Sequence, residues 1–103
     1  MAIMTVIYNM PKDVDSFEDH YFNIHVPLAK QLPGLVRYEI SEGPVMSTTG
    51  HPSPFRIANL YFESREAMMQ AFQSDIGKQC AADRKILAGD EDVQIYVYDS
   101  KDL

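Results

Sequence analysis

The sequence predicts an α+β fold in which four short strands and two helical regions follow one another in the order βαββαβ. Three observations lead to this prediction. The strand-like segments are short and rich in β-branched and aromatic residues. Two longer segments repeat apolar residues at helical spacing, and glycine or proline separates the segments. The 103 residues suffice for one domain, so we expect a single domain over residues 1–103.

The first strand and the first helix are predicted within residues 2–34. Residues 2–8, AIMTVIY, are apolar and largely β-branched, which predicts a strand. Asp15 is a favourable N-cap and Glu18 follows three residues later, a pattern that predicts a helix start at Asp15. Apolar residues then recur at helical spacing until Pro33-Gly34 ends the helix.

A proline inside this helix makes His25 a candidate catalytic residue. Pro27 lacks the N–H that would bond the carbonyl of Asn23, and it pushes Val26 away from helical angles, so a kink or break is expected there. A half-buried imidazole at this point can donate or accept a proton near neutral pH. The alternative is that His25 only caps the freed carbonyl. His20 is expected to be solvated, and its spacing of five from His25 argues against a metal pair.

The middle of the chain predicts two strands around a loop. Residues 35–41 alternate and predict a half-buried strand, with Val36, Tyr38 and Ile40 on one side. Residues 42–54 are rich in proline and glycine and predict a loop. Residues 55–63, FRIANLYFE, predict the third strand.

The last part of the chain predicts a second helical region and a fourth strand. Ser64 is expected to cap a helix over residues 65–73, and Gly77 is expected to interrupt it. A second helical piece then runs to about Leu87, and residues 93–99 predict the last strand.

Right-handed crossovers arrange this order as a four-stranded antiparallel sheet with both helices on one face, the ferredoxin-like arrangement. Strands one, three and four are apolar on both sides, whereas a sheet with a solvated face should alternate apolar and polar residues. The chain has no spare element to cover the second face. We therefore expect a homodimer with two sheets face to face. A monomer with its tyrosine hydroxyls in water is the alternative.

The second helical region contains a carboxylate on an apolar face. Ile76, Cys80 and Leu87 share this face, and Asp83 falls among them. A buried carboxylate needs a partner, because burying it unpaired is costly. The partner could be a neighbouring N–H or tyrosine hydroxyl, or it could be His25. Cys80 is expected to be a small core residue.

Composition argues against several kinds of partner. The net charge is −6 and no basic patch is visible, so we expect no nucleic acid. No apolar run approaches the roughly 20 residues of a membrane span, and the start lacks a signal peptide's basic segment, so the cytoplasm is expected. The single cysteine excludes an intrachain disulfide and a cysteine-based zinc site. No phosphate-binding or dinucleotide motif occurs, so we expect no cofactor, and the spacing of the histidines predicts no metal.

Two separated stretches resemble the EthD family, named for ethyl tert-butyl ether degradation. VIYNMPKDVDSFEDHYFNIHVPLAKQLPGLVRY is similar to the family's strand, proline turn, H-x-P-L and L-P-G-L-x-x-Y patterns. LYFESREAMMQAFQSDIGKQCAAD is similar to its strand, helix, S-x-x-G and terminal D. The residues that carry the resemblance include Phe17, His20, Tyr21, His25, Pro27, Leu28, Leu32, Pro33, Gly34, Leu35, Tyr38, Phe62, Ser74, Gly77 and Asp83.

This resemblance implies a dimeric α/β barrel related to cofactor-free muconolactone isomerases. In the similar methylmuconolactone isomerases a first-helix histidine lines the cleft, and His25 matches it. We expect a cofactor-independent proton-transfer enzyme, isomerase- or lyase-like, for a small oxygenated or aromatic catabolic intermediate. The alternatives are a non-catalytic small-molecule binding or accessory protein of a degradation pathway, and an interaction module without a ligand. The expected ligand-binding residues are Tyr8, Tyr21, Tyr38, Phe62 and Asp83, of which Asp83 would orient the imidazole.

Overall fold

A computed structural model describes all 103 residues of the chain. A π-helical turn over Tyr21–His25 joins the first two helices, and a 3-10 turn over Asp90–Asp92 precedes the last strand. None of the helices combines the length and the apolar character needed to cross a membrane. The regular elements are β1 (Ala2–Tyr8), α1 (Val14–His20), α2 (Val26–Ala29), β2 (Leu35–Ile40), β3 (Arg56–Phe62), α3 (Arg65–Gln73), α4 (Asp75–Leu87) and β4 (Val93–Asp99).

The four strands form one antiparallel sheet in the order β2-β3-β1-β4. This order confirms the predicted ferredoxin-like α+β fold. Side chains alternate along a strand, so Ala2, Val6 and Tyr8 of β1 share one face. They form the core together with buried residues of the helices such as Phe17 and Met68. The helical layer therefore covers this face of the sheet.

The helix α1 begins earlier than the sequence predicts. Its N-cap is Asp13, whose carboxylate accepts a hydrogen bond from the backbone N–H of Ser16 at 3.0 Å. The prediction of Asp15 as the N-cap is wrong, because Asp13 offers the same chemistry where the backbone is still extended. Glu18 accepts hydrogen bonds from both terminal nitrogens of the buried Arg56, at 2.5 and 2.8 Å. This ion pair links α1 to the first residue of β3.

The helical path continues through Pro27, contrary to the predicted break. Val26 keeps helical angles, with φ −61° and ψ −49°, and its N–H donates to the carbonyl of Tyr21 five residues earlier. Pro27 thereby falls in the first turn of α2, where a proline's missing N–H is tolerated. The disturbance predicted around His25 is thus a π-helical turn instead of a kink.

One residue of β2 departs from the predicted alternation. Leu35 pairs with Phe62 and Arg37 pairs with Tyr61, which leaves Val36 as an extra residue in a bulge. Val36 is therefore 47% exposed instead of sharing the half-buried side with Tyr38. A bulge shifts the alternation by one residue, and the apolar pattern alone does not reveal it.

The second helical region divides at Ser74, three residues before the predicted interruption. Ser64 caps α3 as predicted. Ser74 has extended angles, and its hydroxyl accepts from the N–H of Gly77 at 3.1 Å and donates to the carbonyl of Ala71 at 2.5 Å. Gly77 lies inside α4, where a Cβ would collide with the backbone of Ala71 and Phe72. Gly77 therefore permits a close approach of two helices and does not end one.

The second face of the sheet is left without a helical cover. Thr5 donates a hydrogen bond to the side-chain oxygen of Asn59 at 2.7 Å on this face. Tyr96, which lies opposite Thr5 in the register, is 55% exposed, and Tyr98 is 43% exposed. The face thus combines exposed aromatic side chains with polar groups that are already paired.

Candidate active site

A cavity of about 190 Å³ lies between the helices and the covered face of the sheet. Most of its wall is apolar and includes Leu60 of β3 and Phe72 of α3. His25, Tyr8 and Tyr38 also line it. His25 therefore lies at the wall of a cavity between the helices and the sheet.

The two histidines of the first helical region converge on one carboxylate. Nδ1 of His25 lies 2.9 Å from Oδ2 of Asp83, and Nε2 of His20 lies 2.8 Å from Oδ1 of the same side chain. The sequence left open whether His25 would cap a carbonyl or pair with Asp83, and the structure shows the second arrangement. The expectation that His20 would be solvated is wrong, since its side chain is 25% exposed and paired.

The π-helical turn explains how histidines five residues apart reach the same group. Steps of about 100° per residue place positions i and i+5 about 140° apart in an α-helix. In the π-turn the backbone bonds connect residues five apart, so His20 and His25 are separated by about one turn. The prediction for His20 failed because the spacing of five was interpreted with α-helical steps, which place the two rings on different sides of the helix.

The electrostatics of this group favour a neutral imidazole beside an ionised carboxylate. Burial alone would raise the pKa of Asp83, but hydrogen bonds from His25 and His20 outweigh it and hold that pKa below its usual range. Burial lowers the pKa of His25 and exceeds the opposing effect of the Asp83 charge. His25 is therefore neutral at pH 7, with its Nδ1–H donated to the Asp83 carboxylate.

This tautomer leaves the lone pair of Nε2 as the free acceptor of His25. Nε2 makes no hydrogen bond within the chain, whereas Nδ1 is held by Asp83. The only fully buried side-chain polar atom without a partner is Nε of Arg56, so Nε2 of His25 retains accessible surface. An oriented imidazole with a free Nε2 lone pair can remove a proton from a bound molecule.

The tyrosines predicted to bind ligand take different positions around the cavity. The hydroxyls of Tyr21 and Tyr38 form a mutual hydrogen bond of 2.7 Å. Tyr38 lines the cavity, and burial raises the pKa of its hydroxyl to about 12. Tyr21 is fully buried and outside the cavity lining, with its ring centroid 5.7 Å from that of His25 and 5.8 Å from that of Tyr8. Tyr21 therefore packs against the cavity-lining residues Tyr8 and His25 without lining the cavity itself.

The structure places Phe62 and Asp83 outside the cavity lining. Phe62 is fully buried and packs against Phe72, with ring centroids 6.1 Å apart, so Phe72 supplies the aromatic wall expected of Phe62. Asp83 reaches the cavity only through His25. Cys80 lines the cavity as a buried residue, and burial raises the pKa of its thiol to about 11, in keeping with its expected core role.

Two basic residues of α4 line the cavity and were not singled out from the sequence. Arg84 is held by the carbonyl of Ala88 at 2.7 Å and the carboxylate of Asp90 at 2.6 Å. Lys85 is exposed and makes no ion pair. The sequence could have indicated them, because they directly follow Asp83 and lie about one helical turn after Cys80 and Ala81, which also line the cavity.

The family model for the EthD domain matches residues 10–91. The chain belongs to the EthD family. The chain is also similar to a curated relative, the uncharacterized 11.0 kDa protein in the thcB-thcC intergenic region of Rhodococcus erythropolis. The two are 42% identical over 84 residues. That alignment covers 81% of this chain and 80% of the relative.

Solved structures agree with the EthD assignment. A crystal structure of an ethyl tert-butyl ether degradation (EthD) family protein from Bacillus halodurans has a TM-score of 0.88 at 28% identity, covering 98% of this chain and 99% of that one. Two structures at lower identity share the fold. A dimeric ferredoxin-like protein of unknown function from Thermobifida fusca has a TM-score of 0.67 at 8% identity, covering 94% and 88%. SnoaB, a cofactor-independent oxygenase from Streptomyces nogalater, has 0.66 at 12%, covering 99% and 94%.

Proposed function

We propose that this EthD-family chain is a cofactor-independent proton-transfer enzyme, isomerase- or lyase-like, for a small oxygenated or aromatic molecule. The observation that carries the proposal is the free Nε2 of His25 at the wall of an apolar cavity, with Nδ1 bonded to Asp83. Carboxylate–imidazole pairs of this kind fix the tautomer of the base and stabilise the imidazolium that forms when the base takes a proton.

The size of the cavity suits a substrate of about one ring. An apolar cavity of about 150 Å³ binds benzene, and this one measures about 190 Å³. The proposal assigns the chemistry to the residues of the chain, with the substrate held between helices and sheet.

Proton transfer would use the two protonation states of His25 in turn. The neutral imidazole accepts a proton from a carbon atom of the substrate, and Asp83 stabilises the resulting cation. The imidazolium then returns the proton to a second atom of the substrate, or to a leaving group. The cofactor-independent oxygenase of the same fold supports the proposal only by analogy of fold.

Hydrogen exchange in heavy water tests this proposal. Small lactones, phenols and quinones would first be screened for binding by NMR, and the binders would be followed for loss of carbon-bound hydrogen. We expect His25→Gln to slow the exchange by about 100-fold or more while binding persists. The matched control is His51→Gln, in the exposed loop, which should exchange at the wild-type rate.

The pH dependence of the exchange gives a second readout. Because the pKa of His25 is lowered, the rate should rise with pH along a curve whose midpoint lies below the usual value of about 6.5. A midpoint above that value, or a His25→Gln rate equal to wild type, would refute the role of His25.

A non-catalytic binding or accessory protein of a degradation pathway is the second candidate. The mostly apolar cavity wall favours it, since such a wall would hold a hydrophobic guest without any reaction. The same measurements separate the two candidates. Binding of a compound that bears an acidic carbon–hydrogen bond, without exchange in the wild-type protein, would support the binding protein.

The proposal includes a homodimer formed through the uncovered face of the sheet. Exposed Tyr96 and Tyr98 give this face apolar surface that a second copy would bury. The dimeric ferredoxin-like protein from Thermobifida fusca supports this assembly by analogy.

A further inference from the structure

The hydroxyl of Tyr8 stands out among the polar groups around the cavity. Tyr8 is 2% exposed, lines the cavity and makes no hydrogen bond through its hydroxyl. Arg56 Nε is the only fully sealed polar side-chain atom without a partner, so the oxygen of Tyr8 must keep some accessible surface. Since the cavity is the open space that Tyr8 borders, the hydroxyl is available to a guest.

Buried hydroxyls normally have a partner, because an unmade hydrogen bond is costly in apolar surroundings. The other two tyrosines at this site have a partner, since Tyr21 and Tyr38 bond each other. Tyr8 therefore offers a donor for which the chain itself supplies no acceptor. The free Nε2 of His25 offers an acceptor in the same small cavity.

The rings of Tyr8 and His25 are held on the same support. Both lie against Tyr21, with centroid distances of 5.8 and 5.7 Å. Tyr8 also packs edge-to-face on Phe17 at 5.4 Å. The donor and the base are thus fixed by packing before any guest arrives, which is the property that transition-state stabilisation requires.

We propose that the Tyr8 hydroxyl donates a hydrogen bond to the carbonyl oxygen of a monocyclic enone or unsaturated lactone while His25 removes a proton from its carbon skeleton. This inference rests on the proposed function and names the substrate class and a further catalytic residue. Burial raises the pKa of Tyr8 above its usual range, so the group remains a donor at neutral pH and does not compete with His25 as the base.

The electron movements balance without an oxidant or reductant. The lone pair on Nε2 of His25 takes the proton of a carbon–hydrogen bond conjugated with the carbonyl. The bonding pair forms a double bond to the β carbon, the pair of the original double bond forms a new one between the α carbon and the carbonyl carbon, and the carbonyl π pair moves to oxygen. There the Tyr8 hydroxyl stabilises the dienolate. When the imidazolium returns the proton at the other end of the conjugated system, the carbonyl reforms and the double bond has moved.

The infrared spectrum of a bound carbonyl compound tests this inference. Cyclohexenone and an unsaturated δ-lactone would serve as probes, with carbon-13 at the carbonyl. We expect the carbonyl band to shift to lower frequency on binding to wild-type protein and to Tyr61→Phe, whose lost hydroxyl bonds Glu39 and lies outside the cavity lining. In Tyr8→Phe the shift should disappear, and kcat for hydrogen exchange should fall about 100-fold with a much smaller change in KM.

The outcomes separate this inference from the proposed function. Tyr8→Phe removes one oxygen that has no partner in the chain, so its melting temperature should not fall, and a folded variant makes the spectrum interpretable. A shift retained in Tyr8→Phe, or no binding of either probe at millimolar concentration, overturns the inference. If the carbonyl band shift depends on Tyr8 but wild-type protein catalyses no hydrogen exchange, Tyr8 is still the hydrogen-bond donor, and proton transfer by His25 is refuted.

Discussion

At the scale of single residues, the His25–Asp83 contact decides whether the imidazole can act as a base. Burial disfavours the charged imidazole, while the carboxylate 2.9 Å away favours it, and burial prevails. The carboxylate therefore does not make His25 a stronger base than usual. Its contribution is to hold Nδ1–H, which leaves the lone pair on Nε2 of a residue that lines the cavity.

Replacing Asp83 with asparagine should lower the pKa of His25 further. The substitution removes the negative charge that favours the imidazolium, so the effect of burial is no longer opposed. An NMR titration of the His25 ring would measure the pKa. Asp75→Asn is a matched control on the exposed first turn of the same helix and should leave it unchanged. A rise in the His25 pKa in Asp83→Asn would contradict this account of the pair.

The sequence allowed His25 and Asp83 to be chosen but not the role of His20. A carboxylate on an apolar helix face must find a partner, and a histidine beside a disturbed turn is a natural candidate. His20 reaches Asp83 only because the π-helical turn over Tyr21–His25 adds one residue to the helical turn between the two histidines. Tyr8 could be placed at the cavity by strand alternation, but its free hydroxyl depends on where every neighbouring polar group lies.

At the scale of elements, the sequence predicted the location of each helix and strand more reliably than the helix boundaries and the strand bulge. The strands match the predicted segments because β-branched and aromatic residues cluster there. The start of α1, the bulge at Val36 and the break at Ser74 were missed or displaced. The two helix boundaries depend on which of several similar polar side chains bonds the backbone, and the bulge depends on one extra residue in a strand. The pattern of apolar and polar residues contains no information on either.

Gly77→Ala should destabilise the protein although alanine is the better helix former. A Cβ at this position would collide with the backbone of Ala71 and Phe72, which cannot move aside as a side chain could. We expect a loss of about 1–3 kcal/mol in the free energy of unfolding, measured by urea denaturation. Gly89→Ala is the matched control, because its Cβ would meet only the flexible side chain of Glu91. A Gly77→Ala protein as stable as Gly89→Ala would show that the helices can separate without cost.

At the scale of the whole molecule, the two faces of the sheet have different environments. The helical layer and the cavity occupy one face, and nothing in the chain covers the other. The two-sided apolar pattern of the strands indicated this from the sequence, although Thr5 and Asn59 make the uncovered face less apolar than the pattern suggested. Because the Thr5 hydroxyl is already bonded to the Asn59 side-chain oxygen, a partner that covers this face need not supply an acceptor for that hydroxyl.

Tyr96→Lys should dissociate the homodimer that we propose. Tyr96 lies opposite Thr5 on the uncovered face and is 55% exposed, so a second copy packed there would bury an unpaired ammonium group. Light scattering coupled to size-exclusion chromatography should give about twice the chain mass of 11.7 kDa for wild-type protein and a single chain mass for the variant. Met69→Lys is the control, because Met69 is 61% exposed on α3 in the helical layer, and it should remain dimeric. A wild-type monomer would exclude the assembly, whereas a dimer that survives Tyr96→Lys would place its interface elsewhere on the molecule.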